Sequence, residues 1–301
     1  MSTLTDEIKR LKEERHAVIL AHNYVRPEVQ DIADFTGDSL ELSIKAKAVN
    51  AEVIVFCGVR FMAETAKLLS PQSMVLLPNS DAGCPMADMA DPEPVANYRK
   101  AHPDAIFVAY VNSTAAVKAQ VDICCTSGNA EKIIQSLPKD REILFLPDRN
   151  LGGNISGKLG VDMDLWPGFC PTHNRVTVEM IEKARAAAPD ALVLVHPECT
   201  PEVVAAADQA LSTGGILKFV RESNAKRFII GTEAGILHRL RNENPTREFL
   251  PLQPEMICPN MKKITLEDVA RSLRDLTEQI EIAPELREAA VRPILRMLEV
   301  K

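Results

Sequence analysis

One short stretch decides the fold: residues 17–24 read AVILAHNY, an apolar run that ends in a histidine and carries a tyrosine two positions later. Two further stretches have the same form, IFVAYVN at residues 106–112 and LVLVHPE at residues 192–198. The polar residues that end the three runs are spaced 88 and 86 residues apart: His22, Tyr110 and His196. This regular spacing indicates an internal repeat.

Two other landmarks follow the same spacing. A hydroxyl side chain near a glycine stands 17 residues after the end of each run, at Ser39, Ser127 and Thr213. The dipeptide Cys-Pro occurs three times with separations of 86 and 88 residues, at Cys84, Cys170 and Cys258. Agreement of three independent landmarks predicts a triplicated chain, with three units of about 86 residues arranged around a pseudo-threefold axis.

The apolar runs alternate with segments that carry apolar residues at helical spacing, such as residues 176–188. Near-continuous apolar strands separated by helices are typical of parallel sheets that are buried on both faces. We therefore predict an α/β protein with three homologous three-layer α/β/α domains, each built on a small parallel sheet. The predicted units are residues 1–86, 87–172 and 173–260, and C-terminal helices in residues 261–301 are expected to pack back on the first unit.

The composition is that of an ordinary globular protein. Hydrophobic residues make up 46% of the 301 positions and charged residues 26%, which excludes collagen-like, coiled-coil and disordered chains. A net charge of −7 is not typical of proteins that bind nucleic acid or anionic membranes. The sequence has no apolar run of about 18 residues and no signal-peptide pattern at its N-terminus, so we expect a cytoplasmic protein.

The repeat divides the seven cysteines into two groups. Three of them, Cys84, Cys170 and Cys258, occupy equivalent positions in proline-containing loops, and a threefold axis would bring them to one point. Such thiolates suit Zn²⁺ or an iron–sulfur cluster, and three ligands leave one coordination position open for substrate or water. The other four have no counterpart in the repeat and are expected to be small buried hydrophobic residues: Cys57, Cys124, Cys125 and Cys199.

The strand ends are expected to supply the rest of a site, because ligands of parallel α/β units bind beyond the carboxyl ends of the strands. Residues two apart on a strand face the same way, which pairs His22 with Tyr24, Tyr110 with Asn112, and His196 with Glu198. The three hydroxyl–glycine segments are each expected to open a helix, and helix N-termini attract anions. We therefore expect a ligand with several carboxylate or phosphate groups, and Tyr24 and Glu198 as acid–base groups.

An ordered set of motifs resembles the quinolinate synthase (NadA) family from the first helix to the last. The motifs are AHNY at 21–24, GDSL at 37–40, FMAETA at 61–66, YVNST at 110–114, HPEC at 196–199 and STGG at 212–215. The resemblance implies a [4Fe–4S] cluster held by Cys84, Cys170 and Cys258, with one open iron as a Lewis acid. It also implies condensation of iminosuccinate (iminoaspartate) with dihydroxyacetone phosphate to quinolinate, releasing phosphate and water, in de novo NAD biosynthesis.

The resemblance implies roles for individual residues as well. The substrate-binding residues would be His22, Ser39, Tyr110, Asn112, Ser127, His196, Glu198 and Thr213. The catalytic residues would be Tyr24, His196 and Glu198, with proton transfers assigned to Tyr24 and Glu198. The partners would be the two small-molecule substrates, with iminosuccinate supplied by an aspartate oxidase or dehydrogenase. The roles of Arg149, His173 and the 150–169 loop stay open.

Other functions are compatible with the same residues. The three thiolates could serve a zinc-dependent hydrolase or lyase, and the polar strand ends could belong to a non-catalytic module that binds a dicarboxylate. A third alternative comes from GGNISGKL at residues 152–159, which nearly matches a phosphate-binding loop. Its last position is Leu159, which has no hydroxyl for Mg²⁺, so we do not favour nucleotide hydrolysis.

Overall fold

The computed structural model describes residues 3–300, and in them parallel strands form three sheets of four strands each. The first sheet consists of β1 (Ala17–His22), β2 (Phe35–Gly37), β3 (Val53–Cys57) and β4 (Met74–Leu76). The second consists of β5 (Ile106–Tyr110), β6 (Ile123–Cys125), β7 (Ile143–Leu146) and β8 (Asp164–Leu165). The third consists of β9 (Leu192–Val195), β10 (Gln209–Ala210), β11 (Arg227–Gly231) and β12 (Glu248–Pro251).

Each sheet has its strands in the same order: the second strand of the unit, then the first, third and fourth. The central strands are nearly all buried, as β3 and β5 show along their whole length, because helices cover both faces of each sheet. Repetition of one strand order in three sheets confirms the predicted α/β class and its three-layer units. The boundaries proposed for the units stay a prediction.

Fourteen α-helices and two short 3-10 helices, Ala87–Met89 and His173–Arg175, accompany the strands within residues 3–300. The α-helices are α1 (Leu4–Glu14), α2 (Pro27–Asp31), α3 (Ser39–Ala48), α4 (Arg60–Leu69), α5 (Pro92–Ala101), α6 (Ala115–Lys118), α7 (Ala130–Gln135), α8 (Arg149–Leu159), α9 (Val178–Ala187), α10 (Pro201–Ala206), α11 (Thr213–Glu222), α12 (Ile236–Glu243), α13 (Leu266–Asp275) and α14 (Pro284–Glu299). Most of the longer helices begin at a side chain that accepts a hydrogen bond from the first turn, as Asp38 and Thr265 do. None of these helices is both long and apolar enough to span a bilayer.

One aspartate contact recurs in all three units. The carboxylate of Asp122 accepts a hydrogen bond from the backbone N–H of Phe107 on β5 at 2.8 Å. The equivalent contacts, 88 residues earlier and 86 residues later, join Ile19 to Asp34 at 2.8 Å and Val193 to Asp208 at 2.7 Å. Each aspartate also pairs with a basic side chain: Lys12 with Asp34, Arg99 with Asp122 and Arg185 with Asp208. The repeat is therefore present in the side-chain contacts as well as in the strand order.

The C-terminal helices lie on two units. Helix α13 packs against α1 and β3 of the first unit, whereas α14 lies against α4 of the first unit and α6 and β6 of the second. Thr265 caps α13 as Thr177 caps α9, each by accepting an N–H from the first turn. The two threonines are 88 residues apart, so α13 begins as an equivalent of α9 in the repeat.

The near-match to a phosphate-binding loop is part of a helix. Residues 152–159 lie within α8, with Gly152 against the second sheet. A Cβ atom on Gly152 would lie 2.7 Å from side-chain carbons of Phe145 and Leu165. This glycine therefore permits close packing of helix and sheet, and the segment does not form a phosphate-binding loop.

Candidate active site

The carboxyl ends of the three sheets meet at one cavity of about 680 Å³, part of it open to solvent. All twelve residues predicted for the site line this cavity: His22, Tyr24, Ser39, Cys84, Tyr110, Asn112, Ser127, Cys170, His196, Glu198, Thr213 and Cys258. Its apolar lining comes chiefly from the first unit, with Val59, Phe61, Met62 and Met86. Residues that are far apart in the chain therefore converge as the threefold arrangement requires.

Several strand-end residues lie in turns that follow the strands, which differs from the prediction. Strand β1 ends at His22 and β5 at Tyr110, but β9 ends one residue before His196. Tyr24, Asn112 and Glu198 all lie beyond the last strand residue. The chain leaves each sheet at this point to reach the next helix, and the turn aims the second polar side chain into the cavity.

The two histidines make the same local contact. The backbone N–H of Tyr24 donates to Nδ1 of His22 at 3.2 Å, and that of Glu198 donates to Nδ1 of His196 at 3.3 Å. An Nδ1 atom that accepts a hydrogen bond carries no proton in the neutral ring, so the proton is on Nε2. The turn after the strand therefore makes each Nε2–H a donor.

Burial lowers the pKa of both histidines, to about 3 for His22 and about 4 for His196. The positive charges of His196 and Lys262 lower the pKa of His22 further. For His196, Glu198 opposes the shift and His173 adds to it. Both rings are accordingly neutral near pH 7 and can act as hydrogen-bond donors.

A continuous series of buried hydrogen bonds crosses the cavity wall. The Tyr24 hydroxyl lies 2.7 Å from the hydroxyls of both Thr213 and Thr232. The Thr232 hydroxyl lies 2.8 Å from Nε2 of His173, and Nδ1 of His173 lies 2.7 Å from Oε2 of Glu198. The Tyr110 hydroxyl completes the series by donating to Oε1 of Glu198 at 2.6 Å. With its proton on Nδ1, His173 donates to Glu198 and leaves Nε2 to accept from Thr232.

The tyrosines and the glutamate of this series have opposite protonation preferences. Burial raises the pKa of Tyr24 and of Tyr110 well above the usual value, so both phenols keep their protons. Burial also opposes ionisation of Glu198, but the imidazoles of His196 and His173 and the hydrogen bonds from His173 and Tyr110 outweigh it and lower the pKa of Glu198. The series therefore holds an ionised carboxylate between two neutral phenols.

Two of the three hydroxyl–glycine segments open helices as predicted. Ser39 is the first residue of α3 and Thr213 the first of α11. Asp38 joins the two helix ends, because its carboxylate caps α3 and accepts the N–H of Gly214 in α11 at 3.0 Å. The third segment differs: Ser127 lies three residues before α7, which begins at Ala130, and the Asn129 side chain before it accepts the N–H of Thr126 instead of capping the helix.

One buried polar atom at the cavity is unsatisfied. Oδ1 of Asn112 has no hydrogen-bond partner within residues 3–300 although its accessible surface is below 1 Å². Buried amide oxygens are normally paired. Asn112 therefore contributes an unpaired acceptor beside the cavity.

The three Cys-Pro loops place backbone donors around each sulfur in the same way. Sγ of Cys84 accepts from the N–H of Ala87, Sγ of Cys170 from that of His173, and Sγ of Cys258 from that of Met261. In each case the donor lies three residues after the cysteine. N–H groups aimed at sulfur stabilise a metal-bound thiolate and are a recurrent feature of iron–sulfur sites.

The spacing of the sulfurs bears on the type of metal group. A single tetrahedral zinc ion holds thiolate sulfurs about 3.8 Å apart, and among the described residues the three sulfurs do not all lie within 4.8 Å of one another. Burial raises the pKa of Cys84 to about 12 and that of Cys170 and Cys258 above the ordinary value, and a metal cation would reverse this preference. As placed, the three sulfurs are spread more widely than the thiolate ligands of a single tetrahedral ion.

Cys170, His173 and Glu198 form a second potential metal-binding group, with one ligand atom of each within 4.8 Å. The contact between His173 and Glu198 is 2.7 Å, and Nδ1 of His173 lies 3.2 Å from Sγ of Cys170. The first of these distances is that of a hydrogen bond. The group thus connects a cysteine of the three Cys-Pro loops to the hydrogen-bonded series.

The remaining cysteines are structural. Cys57, Cys124, Cys125 and Cys199 are fully buried among apolar side chains. They are free thiols, like the three loop cysteines. The sequence prediction that these four pack in the core is confirmed.

Sequence reasoning missed part of the site. Thr232 and Glu233 follow β11 and are buried, Glu233 lining the cavity and Thr232 bonded to two of its lining residues, Tyr24 and His173, and the sequence assigned no role to His173. One signal could have found the first two, because a polar pair one glycine after the apolar run Phe228-Ile229-Ile230 marks the carboxyl end of a parallel strand. His173 had no such signal, since it follows Cys170 by three residues in a loop.

Comparison with known proteins gives a consistent answer. The family described as NadA, quinolinate synthetase A protein, matches residues 6–299. A quinolinate synthase of Geobacter metallireducens is 52% identical over 298 residues, covering 99% of this chain and 98% of that protein. Quinolinate synthases of Alkaliphilus metalliredigens and Caldicellulosiruptor bescii are 50% and 51% identical over 301 residues, each covering all of this chain and 99% of the relative. The chain therefore belongs to the quinolinate synthase family.

Proposed function

We propose that this chain condenses iminosuccinate with dihydroxyacetone phosphate to form quinolinate, as a transferase of de novo NAD biosynthesis. The atoms balance when one phosphate and two water molecules leave as the pyridine ring closes. The observation that carries the proposal is the convergence of three Cys-Pro loops and three polar strand ends at one cavity. Membership of the quinolinate synthase family supports it.

The cysteines Cys84, Cys170 and Cys258 would hold a [4Fe–4S] cluster. Their common backbone donors and their spacing support this assignment. When bound, the cluster would supply one iron without a cysteine ligand as a Lewis acid for an oxygen or nitrogen atom of the substrate.

The anionic substrates would be bound by neutral donors. Among residues 3–300, no lysine or arginine lines the cavity. The donors are instead the Nε2–H groups of His22 and His196, the hydroxyls of Ser39, Ser127 and Thr213, and the amide of Asn112. The Tyr110 hydroxyl donates to Glu198, so its oxygen would bind substrate as an acceptor. The N-termini of α3 and α11 add a favourable dipole for carboxylate or phosphate, with N–H groups of their first turns held by Asp38 and Ser212. Several donors of this kind suit a dicarboxylate and a phosphate ester together.

The proton transfers are assigned to Tyr24 and Glu198. Ring closure and dehydration require protons to leave carbon and nitrogen atoms and to reach departing oxygen atoms. Glu198, held ionised, would accept a proton, and the Tyr24 phenol would donate one. The proton would return from Glu198 to Tyr24 through the His173 tautomer that carries its proton on Nε2. Glu198 would donate to Nδ1, Nε2–H would donate to the Thr232 hydroxyl, and that hydroxyl would donate to the Tyr24 oxygen, since each adjacent pair is within 2.8 Å. His196 would orient the substrate through its Nε2–H.

The cellular setting follows from the substrates. Iminosuccinate hydrolyses in water, so an aspartate oxidase or dehydrogenase that supplies it is the expected partner. We also propose that the chain works in the cytoplasm, where the seven free thiols stay reduced.

The decisive experiment is an anaerobic assay for quinolinate with iron counted per chain. Brown protein with about four irons per chain that forms quinolinate from both substrates supports the proposal. Colourless protein that holds zinc and turns over a different substrate would indicate a zinc enzyme. Protein that binds a dicarboxylate but forms no product would indicate a binding module.

A further inference from the structure

A buried ion pair at the cavity edge takes no part in the proton transfers. Glu233 follows β11 and is fully buried, and Lys262 lies in the loop after Cys258. Nζ of Lys262 lies 2.9 Å from Oε1 and 3.1 Å from Oε2 of Glu233. A buried carboxylate is stable in such a position only when a cation or several donors engage it.

The carboxylate of Glu233 also holds the backbone of a metal loop. Its Oε1 accepts the N–H of Cys258 at 3.1 Å, and its Oε2 accepts the N–H of Gly235 at 2.7 Å. Both oxygens therefore have two donors each. Cys258 is one of the three proposed cluster ligands, so Glu233 holds the main chain of that ligand.

The ammonium group of Lys262 extends the contact to the first unit. Its Nζ donates to the backbone carbonyl of Tyr24, and its own backbone carbonyl accepts from Nε of Arg26 at 2.7 Å. The Tyr24 hydroxyl is held by Thr213 and Thr232. The lysine therefore fixes the main chain of the residue whose phenol would donate a proton.

Glu233, Lys262 and the backbone of Tyr24 are closely packed around Gly235. A Cβ atom on Gly235 would lie 2.8 Å from Oε2 of Glu233, from Nζ of Lys262 and from the backbone carbon of Tyr24. Glycine is the residue type that permits the carboxylate, the ammonium group and the Tyr24 backbone to meet at this point. The close approach supports a specific contact between these groups.

We propose that Glu233 and Lys262 are positioning residues that couple the Cys258 loop to Tyr24. Through this pair, the loop that would hold one ligand of the cluster also sets the place of the proton-donating phenol. The inference rests on the proposed function. It predicts that weakening the pair loosens the metal site and misplaces Tyr24 at the same time.

The test uses the reconstituted enzyme under anaerobic conditions, with the variants Glu233→Gln, Lys262→Met and the double variant. Two properties are measured: the rate at which a chelator removes iron, and kcat and KM for quinolinate formation at matched iron content. We expect iron loss to be about fivefold faster and kcat to fall about tenfold in each single variant, with KM changed less than about threefold. The double variant is expected to match the single variants, because either one already breaks the pair.

Arg227→Gln is the matched control. Arg227 starts the same strand, β11, and its ion pairs with Asp190 and Glu248 lie at the surface, away from the cavity. If Glu233→Gln does not fold, Lys262→Met decides, since the lysine side chain is 21% exposed and its removal is better tolerated.

Three results would count against the inference. Variants that behave like the control would refute it, as would a change in iron loss without a change in kcat, or the reverse. Additive losses in the double variant would show that the two residues act separately. A wild-type protein that holds no iron and forms no quinolinate would instead refute the proposed function, and the coupling with it.

Discussion

Nδ1 of His173 lies 2.7 Å from Oε2 of Glu198, and both side chains are buried. The same imidazole reaches the hydroxyl of Thr232 with its other nitrogen at 2.8 Å. A hydroxyl, an imidazole and a carboxylate in this order can move a proton without large rearrangement. The relationship connects a loop next to Cys170 with the turn after β9, two segments that the linear sequence keeps apart.

Replacement of His173 by Phe should interrupt proton transfer between Tyr24 and Glu198. We expect kcat to fall by about 10²-fold or more, with KM little changed, because the ring does not need to bind substrate. Anaerobic kinetics at matched iron content provide the measurement. His238→Gln is the control, since His238 pairs with Asp31 at the surface. An unchanged kcat in His173→Phe would exclude the proposed route.

Tyr24→Phe should leave the fold and the iron content intact while it removes the donated proton. The ring keeps its edge-to-face contact with His22, at 4.5 Å between centroids, but the hydrogen bonds to Thr213 and Thr232 are lost. We expect a fall in kcat of about 10²-fold or more. Tyr98→Phe, which removes a surface hydroxyl bonded to Asp164, should retain full activity. Comparable activity of the two variants would contradict the role of Tyr24.

Serine in place of Cys84, Cys170 or Cys258 should abolish the brown colour, the bound iron and quinolinate formation, since each thiolate is a proposed ligand. Cys57→Ser and Cys124→Ser are the controls, because these thiols are buried in the core. We expect the controls to keep their iron, with some loss of stability from the buried hydroxyl. Iron lost equally from the controls and retained by Cys84→Ser would overturn the ligand assignment.

The recurring aspartates should contribute to stability in each unit. Asp208 accepts the N–H of Val193 on β9 and pairs with Arg185. Asp208→Ala leaves a strand N–H without a partner, which costs about 1–3 kcal/mol of unfolding free energy. Asp190→Ala removes only a surface partner of Arg227 and should cost less than about 1 kcal/mol. Urea denaturation measures the unfolding free energy of both variants. Equal losses would show that the contact of Asp208 with the strand N–H adds no more stability than a surface ion pair.

The two cavity histidines should make the protein less stable in mild acid. Their pKa values are about 3 and 4 in the folded chain and about 6.5 when unfolded. Below pH 6.5 the unfolded state therefore binds protons that the folded state does not, and stability falls as the pH falls. At pH 5 each histidine should contribute a loss of about 2 kcal/mol relative to pH 7.5.

The temperature of half-unfolding, measured anaerobically at pH 7.5 and pH 5, tests this expectation. His22→Gln should show about half of the acid-induced decrease, whereas His238→Gln should behave like the unmodified protein. If the temperature of half-unfolding is no lower at pH 5 than at pH 7.5, the two rings are protonated in the folded state.

Much of this protein was determined by the sequence alone. The spacing of 86 and 88 residues between equivalent landmarks predicted three units and one central site, because equivalent positions in a closed threefold arrangement meet at its axis. The apolar runs predicted buried parallel strands, since only a strand covered on both faces is apolar on successive residues. These features are local or periodic, and they can be read without knowing how the units dock.

Only the tertiary structure decided the chemistry of the cavity. It brought His173 to Glu198, Thr232 to Tyr24, and Lys262 to both Glu233 and the Tyr24 carbonyl. His173 and Glu198 lie within the third predicted unit, whereas the other contacts join different segments of the predicted division, and no periodicity relates the partners in any of them. The neutral state of His22 and His196 likewise depends on burial from all sides. A sequence pattern specifies which side chains reach the centre, but the protonation and partners of each are set by the packing of the three units around it.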